Sequence, residues 1–179
     1  MKRVYQLTVA LVVGSLALYA AFIPIKTMTL FFFWIYDAPF VCLCLVGVVF
    51  LFLNFREYLK NEKLASFLPI GICVIIMIVV IWQNKRRELI DNGDTYFTAT
   101  NYEIGNDGGF VLDFKKDGHL KGERRDHWAI TYYWGKYSQK NDTIELKIPL
   151  DFKMGEKAIL KDSSLQLIGD SISFHVVRE

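Results

Sequence analysis

Leu64-Ala65-Ser66-Phe67-Leu68-Pro69-Ile70-Gly71-Ile72-Cys73-Val74-Ile75-Ile76-Met77-Ile78-Val79-Val80-Ile81-Trp82, closed by Asn84-Lys85-Arg86-Arg87, divides the chain into two unlike parts. The β-branched run from Val74 to Ile81 would suit a buried strand in water. Its length, however, matches the ~20 apolar residues that cross a bilayer core, and in lipid a helix is the open segment that satisfies its own backbone. Ser66 can cap this helix, Pro69 sits in its first turn, and Trp82 supplies an interfacial indole before the basic cluster.

Working back toward the amino terminus, Leu7–Ile23 is uncharged and apolar and follows Lys2-Arg3. No small-residue cleavage site leads into polar sequence, so an uncleaved span is expected rather than a signal peptide. Ala38 to Arg56 reads as a second span, giving spans at about 4–24, 38–56 and 64–82. Asp37 permits two readings. As an N-cap with Pro39 in the first turn it starts the second span and leaves Phe31–Tyr36 as an interfacial aromatic belt. As an intramembrane carboxylate it would mark a proton or ion path. Gly14, Ser15 and Gly47 are candidate close-packing points for assembly of the spans into a homo-oligomer.

Residues 1–90 carry nine Lys/Arg against four Asp/Glu, net +5, and residues 91–179 carry twelve against fifteen, net −3. The acidic tail lacks the basic footprint of general nucleic-acid binding. Charge does not orient the spans: Lys2, Arg3, Arg56, Lys60 and Lys63 fall on one side, and Lys26, Lys85, Arg86 and Arg87 on the other. The cysteines, Cys42, Cys44 and Cys73, all lie in apolar stretches and read as packing residues.

Beyond Asp94 the period changes to two, with turn residues every eight to twelve positions, the pattern of an all-β sandwich or barrel. Phe110, Leu112 and Phe114 share one strand face, Asp117-Gly118 makes a hairpin turn, and Ile144, Leu146 and Ile148 share another inward face. Trp128, Ile130, Tyr132 and Trp134 alternate with Thr131, Tyr133 and Gly135. About eight strands are expected in a small antiparallel barrel whose interior is mostly side chains. The expected division is a transmembrane helical domain, 1–90, and a soluble β-barrel domain, 91–179.

The segments Phe110 to Gly118, Tyr132 to Tyr137 and Asp142 to Leu146 resemble the strand, Asp-Gly turn and aromatic Gly-x-Tyr strand of lipocalin-like domains in bacterial envelope proteins. That resemblance covers about residues 109–148 and implies fold without catalytic residues. In architecture, helical spans followed by a small barrel are similar to the membrane effectors of bacterial cyclic-oligonucleotide antiphage defence. This likeness implies a barrel that binds a nucleotide messenger and spans that assemble in the bacterial cytoplasmic (inner) membrane.

His119, His127 and His175 are dispersed over a turn, a loop and a strand, and no serine lies in a nucleophile elbow. A non-enzymatic protein with no metal or cofactor requirement is the expectation. The cluster with most chemistry is Lys121, Arg124 and Arg125 with Trp128, Tyr132 and Tyr133, because guanidinium groups clamp phosphates and aromatic faces stack bases. The same residues also fit a solvated hairpin over core aromatics. Two functions follow: a membrane protein whose barrel binds a small ligand such as a nucleotide, or an envelope or toxin-immunity protein whose barrel docks a protein.

Overall fold

The computed structural model describes residues 2–28, 33–61, 64–102, 109–149, 156–169 and 172–178. Phe31, Phe32 and Lys63, each assigned a place above, lie outside them. The chain divides into two units, one of helices and one of strands.

The helical unit contains α1 (Lys2–Phe22), the single turn α2 (Phe33–Tyr36), α3 (Ala38–Asn61) and α4 (Leu68–Asp91), the last preceded by a 3-10 turn at Leu64–Phe67. Three of the helices, α1, α3 and α4, are long and apolar enough to cross a membrane. Asp37 stands between α2 and α3, and its carbonyl accepts the first bonds of α3 from Phe40 (3.1 Å) and Val41 (3.2 Å), which is N-cap geometry. Helix α4 runs nine residues past Trp82 to Asp91. Lys85, Arg86, Arg87, Glu88 and Leu89 are all good helix formers, and the next breaker is Gly93. Arg86 lies over the Trp82 ring at 5.8 Å, and Arg87 donates to the carbonyl of Ile23 just past the end of α1.

A face of small residues on α1 (Ala10, Gly14, Ala17 and Ala21) packs with Leu43 and Phe50 of α3 and Cys73 and Val80 of α4. A Cβ on Gly14 would meet Ile76 Cδ1 at 2.3 Å, and one on Gly47 would touch Met77 and Cys73. Both glycines are therefore used for packing inside the chain, whereas Ser15 is exposed. Cys42 faces outward and Cys44 turns to Met77, with Sγ to Sδ at 3.7 Å, so the two thiols point apart. Leu11, Leu16, Leu45, Phe52, Ile75 and Ile78 cover the outer faces, making helices apolar on all sides.

In the second unit, eight strands form a closed antiparallel barrel: β2 (Thr95–Asn101), β3 (Phe110–Lys115), β4 (His119–Asp126), β5 (Ala129–Lys140), β6 (Thr143–Lys147), β7 (Lys157–Lys161), β8 (Ser164–Leu167) and β9 (Ser173–Arg178). Each strand pairs with its sequence neighbour, and β9 returns to β2. The interior is filled by Phe97, Phe110, Phe114, Tyr133 and Phe174 with surrounding leucines, all nearly inaccessible. Phe97 and Phe114 stack at 4.2 Å, and the Tyr137 ring meets Phe114 edge-on at 5.0 Å. Gly135 makes room for the end of β6: a Cβ there would lie 2.4 Å from the Lys147 carbonyl oxygen.

At the β3–β4 connection Gly118 donates to the Lys115 carbonyl (3.0 Å) and alone takes a positive φ, +84°. The turn residues proper are thus Lys116 and Asp117, followed by glycine in the left-handed position, a three-residue hairpin loop rather than an Asp-Gly two-residue turn. Asn141 and Asp142 form the β5–β6 turn, with Asn141 at φ +56°.

A ninth strand, β1 (Ile25–Met28), comes from the loop after α1. It pairs antiparallel with the first half of β5, from Ile25 opposite Tyr133 to Met28 opposite Ile130. The second half of β5, from Lys136, pairs with β6, so one long strand serves β4 on one edge and β1 then β6 on the other. Pro24 contributes its carbonyl to Trp134 N–H (3.0 Å). Two long helices, α3 and α4, and the single turn α2 separate β1 from β2 in the chain.

Candidate functional site

The β4–β5 hairpin carries the basic and aromatic residues, and the strand period separates them into two sets. Lys121, Glu123 and Arg125 share the outer face with Ile130, Tyr132 and Trp134, their register partners on β5. Arg124 is on the inner phase opposite Thr131, beside the Thr27–Thr131 hydroxyl pair (3.1 Å). Tyr133 is fully buried in the core and tilted against Phe110. Tyr132 and Tyr133 are therefore on opposite sides of the barrel wall.

Each cation of the set has a carboxylate. Lys121 Nζ is 3.2 Å from Asp91 Oδ2 and 4.9 Å from the Tyr132 ring centre. Arg124 Nε reaches Asp126 at 3.2 Å, and Arg125 Nε reaches Glu123 Oε1 at 2.5 Å. The Glu123 hydrogen bond raises the Arg125 pKa further above its ordinary value. Burial, then the Glu123 charge, raises that of Tyr132. A phosphate entering here has to displace carboxylates.

The hairpin tip, His127-Trp128, lies beyond the last pair, Asp126 with Ala129. Trp128 is 87% exposed, the most exposed large apolar side chain of the described chain, with the His127 ring 6.0 Å away edge-on. His119 is at the opposite end of β4, where its Nδ1 meets Asp117 at 2.9 Å, and His175 points outward from β9. No three His, Cys, Asp or Glu side chains among the described residues are grouped to hold a metal.

A partly enclosed polar cluster around Asp91 and Lys115 has no counterpart in the sequence reading. Asp91 accepts from Trp134 Nε1 (2.9 Å) as well as from Lys121. Next to it Lys115, only 4% exposed, places Nζ 2.7 Å from Asp113, 3.1 Å from the Asp91 carbonyl and 3.0 Å from the Gly93 carbonyl. A lysine on the last carbonyls of a helix satisfies acceptors that have no partner within it and offsets the negative end of the dipole. Residues 88–94 are thus tied to the outside of β3, β4 and β5. The local signal, alternation of Asp113 with Lys115 on a strand, is that of an ordinary solvated face.

A recess of about 470 Å³ is lined by Glu145, Leu146, Lys147, Ile148, Glu156 and Lys157. Its charges alternate in sign, with Lys157 3.5 Å from Glu145, and nothing in it selects a ligand. No family model, curated protein or solved structure matches the chain. What the fold defines is a class: helices able to cross a membrane joined to a closed eight-stranded barrel.

Proposed function

We propose that this is a non-enzymatic integral membrane protein whose barrel recognises a ligand or partner on its outer surface at the β4–β5 hairpin. The observation that carries the proposal is β1. The loop that follows the first span is a strand of the recognition domain, hydrogen-bonded to β5 directly across from β4. A change at the hairpin is one strand away from the segment that joins the first two spans. The filled interior favours surface recognition over a calyx. The closed meander of neighbouring strands supports the lipocalin-like resemblance at the level of topology.

In its sharper form the protein is a nucleotide-sensing effector in a bacterial inner membrane, of the antiphage-defence kind. Lys121 and Arg125, side by side on the outer face of the hairpin that presents Trp128, favour this form, with Arg124 on the opposite phase of the same strand. Calorimetry with cyclic nucleotides tests it: binding lost in Arg124→Ala plus Arg125→Ala supports the site, and no heat with the wild-type chain removes it. The competing form, an envelope or toxin-immunity protein, predicts one stoichiometric protein partner in a pulldown. Sidedness separates the two. Ser138, exposed on β5, is replaced by cysteine and challenged with an impermeant maleimide. Labelling only after lysis favours the nucleotide form, and labelling of intact cells favours the envelope form.

A further inference from the structure

One end of the barrel has the composition of a bilayer-contacting rim. A single row of the register runs from Tyr102, the residue after β2, past Gly109, whose carbonyl accepts from Arg125 N–H, to Ile130 on β5 and Met28 on β1. The His127-Trp128 tip projects beyond this row. Tyr102 is 78% exposed, Met28 53% and Trp128 87%, whereas most other aromatic rings of the domain are partly or wholly covered. Indole and phenol rings combine an apolar body with a polar edge, which is why they collect at the level of lipid headgroups. An arginine between them can place its stem along the apolar surface and its guanidinium among phosphates.

Covalent connection says which surface is at hand. Met28 is five residues before Phe33, where the aromatic turn Phe33–Tyr36 begins, and ten before Ala38, the start of the second long apolar helix. Five fully extended residues cover at most about 18 Å. The rim is tethered that closely to a segment of interfacial composition. Charge argues against a polyanionic partner, because Glu123 and Asp126 already accompany Arg125 and Arg124.

We infer that Tyr102, Trp128 and Met28 rest in the headgroup region of the bilayer that holds the spans, with Arg125 at the phosphate level. The inference rests on the reading of this hairpin as the recognition surface and names its partner as a lipid surface. Aromatic insertion, rather than net charge, supplies the attachment, so replacing part of the phosphatidylcholine by phosphatidylglycerol should change it little.

The test uses the full chain reconstituted in phosphatidylcholine vesicles, with or without lipids brominated near the headgroup. Trp34, Trp82 and Trp134 also emit, so the signal is the difference between wild type and Trp128→Phe, a conservative change at an exposed tip. The expected result is at least a twofold loss of the Trp128 emission in brominated lipid, together with protection from aqueous iodide. Iodide protection without bromine quenching, growing with the protein-to-lipid ratio, assigns the rim to a second copy. That outcome overturns the lipid assignment and leaves surface recognition standing. Full access of iodide to Trp128, in vesicles and in native membranes alike, overturns the lipid assignment, and the recognition reading then stands or falls on the calorimetry and the pulldown.

Discussion

Lys115→Met removes a charge from the partly enclosed polar cluster of the barrel while keeping the volume of the side chain. The lysine donates to Asp113 (2.7 Å), to the carbonyls of Gly93 (3.0 Å) and Asp91 (3.1 Å), and to Thr95 Oγ1 (3.3 Å). Removing one partner of a fully buried ion pair costs about 3–5 kcal/mol, chiefly because the other charge is left uncompensated. Asp113 is 25% exposed and keeps its bond from Thr95 (2.9 Å), so its share falls below that range. The carbonyls of Asp91, the last residue of α4, and of Gly93, two residues beyond it, each lose a bond to a charged donor, worth about 1.5–3 kcal/mol when nothing replaces it, and water replaces part of it. The sum expected is about 3 kcal/mol. For a domain of this size each kcal/mol moves Tm by about 4–8 °C, which gives a fall of about 12–24 °C. Near-ultraviolet circular dichroism of the detergent-solubilised chain reads it through the buried aromatic rings. Lys115→Met with Asp113→Leu removes the stranded carboxylate and should regain more than half of the loss. A fall of about 3 °C or less in the single variant, or a double variant no better than the single, would refute the reasoning.

Gly135→Ala forces a Cβ to 2.4 Å from the Lys147 carbonyl oxygen and 2.8 Å from Ile148 Cα, both backbone atoms, whereas Gly71→Ala meets nothing within 4 Å. The first should cost about 3 kcal/mol and the second should be neutral or slightly stabilising, as glycine is a poor helix former; paired melting curves separate them. The amide of Asn54 is fully buried in α3 with neither its nitrogen nor its oxygen hydrogen-bonded among the described residues. Asn54→Leu should therefore raise resistance to denaturing detergent by about 1–3 kcal/mol, and a loss of resistance would show that the amide has a partner. The Asp117 carboxyl is held below the usual carboxylate range, first by the His119 backbone N–H and then by the His119 side chain. A depressed folded pKa stabilises the fold above the unfolded pKa of about 3.9 and loses that contribution as pH falls through the folded value. Tm measured from pH 5 down to pH 2 should fall less steeply in Asp117→Asn, by a small amount because the carboxylate is 59% exposed.

The three long apolar helices were legible because length and apolarity alone decide them, and Asp37 because a short acid before Ala-Pro suits a helix start. The end of α4 was not, since apolar counting stops at Trp82 while helix propensity continues to the residues before Gly93. Alternation over Phe110–Lys115 and Thr143–Lys147 gave the barrel strands and their inner faces correctly. It was ambiguous on β5, where aromatic residues occupy both phases, and only the pairing of Tyr133 with Gly122 assigns the inner one. Naming Tyr132 and Tyr133 together as ligand contacts ran against the period-two rule, which sends adjacent residues to opposite faces. β1 has alternating Ile25 and Thr27, but four residues carry too little pattern to outweigh the apolar stretches around them. Partnerships such as Trp134 with Asp91 join positions 43 apart and have no local signature.

Strand β1 also imposes an order of events during synthesis. Ile25 pairs with Tyr133, 108 positions later, so the strand is made long before its partner exists. At about 5–20 residues per second that interval is roughly 5–20 s, during which the long apolar helices α3 and α4 are made. Until then the loop after the first span has backbone donors and acceptors with no sheet to join. An early loop is therefore captured by a late domain, and a ribosome stalled before Tyr133 would leave the three long apolar helices made with that capture undone.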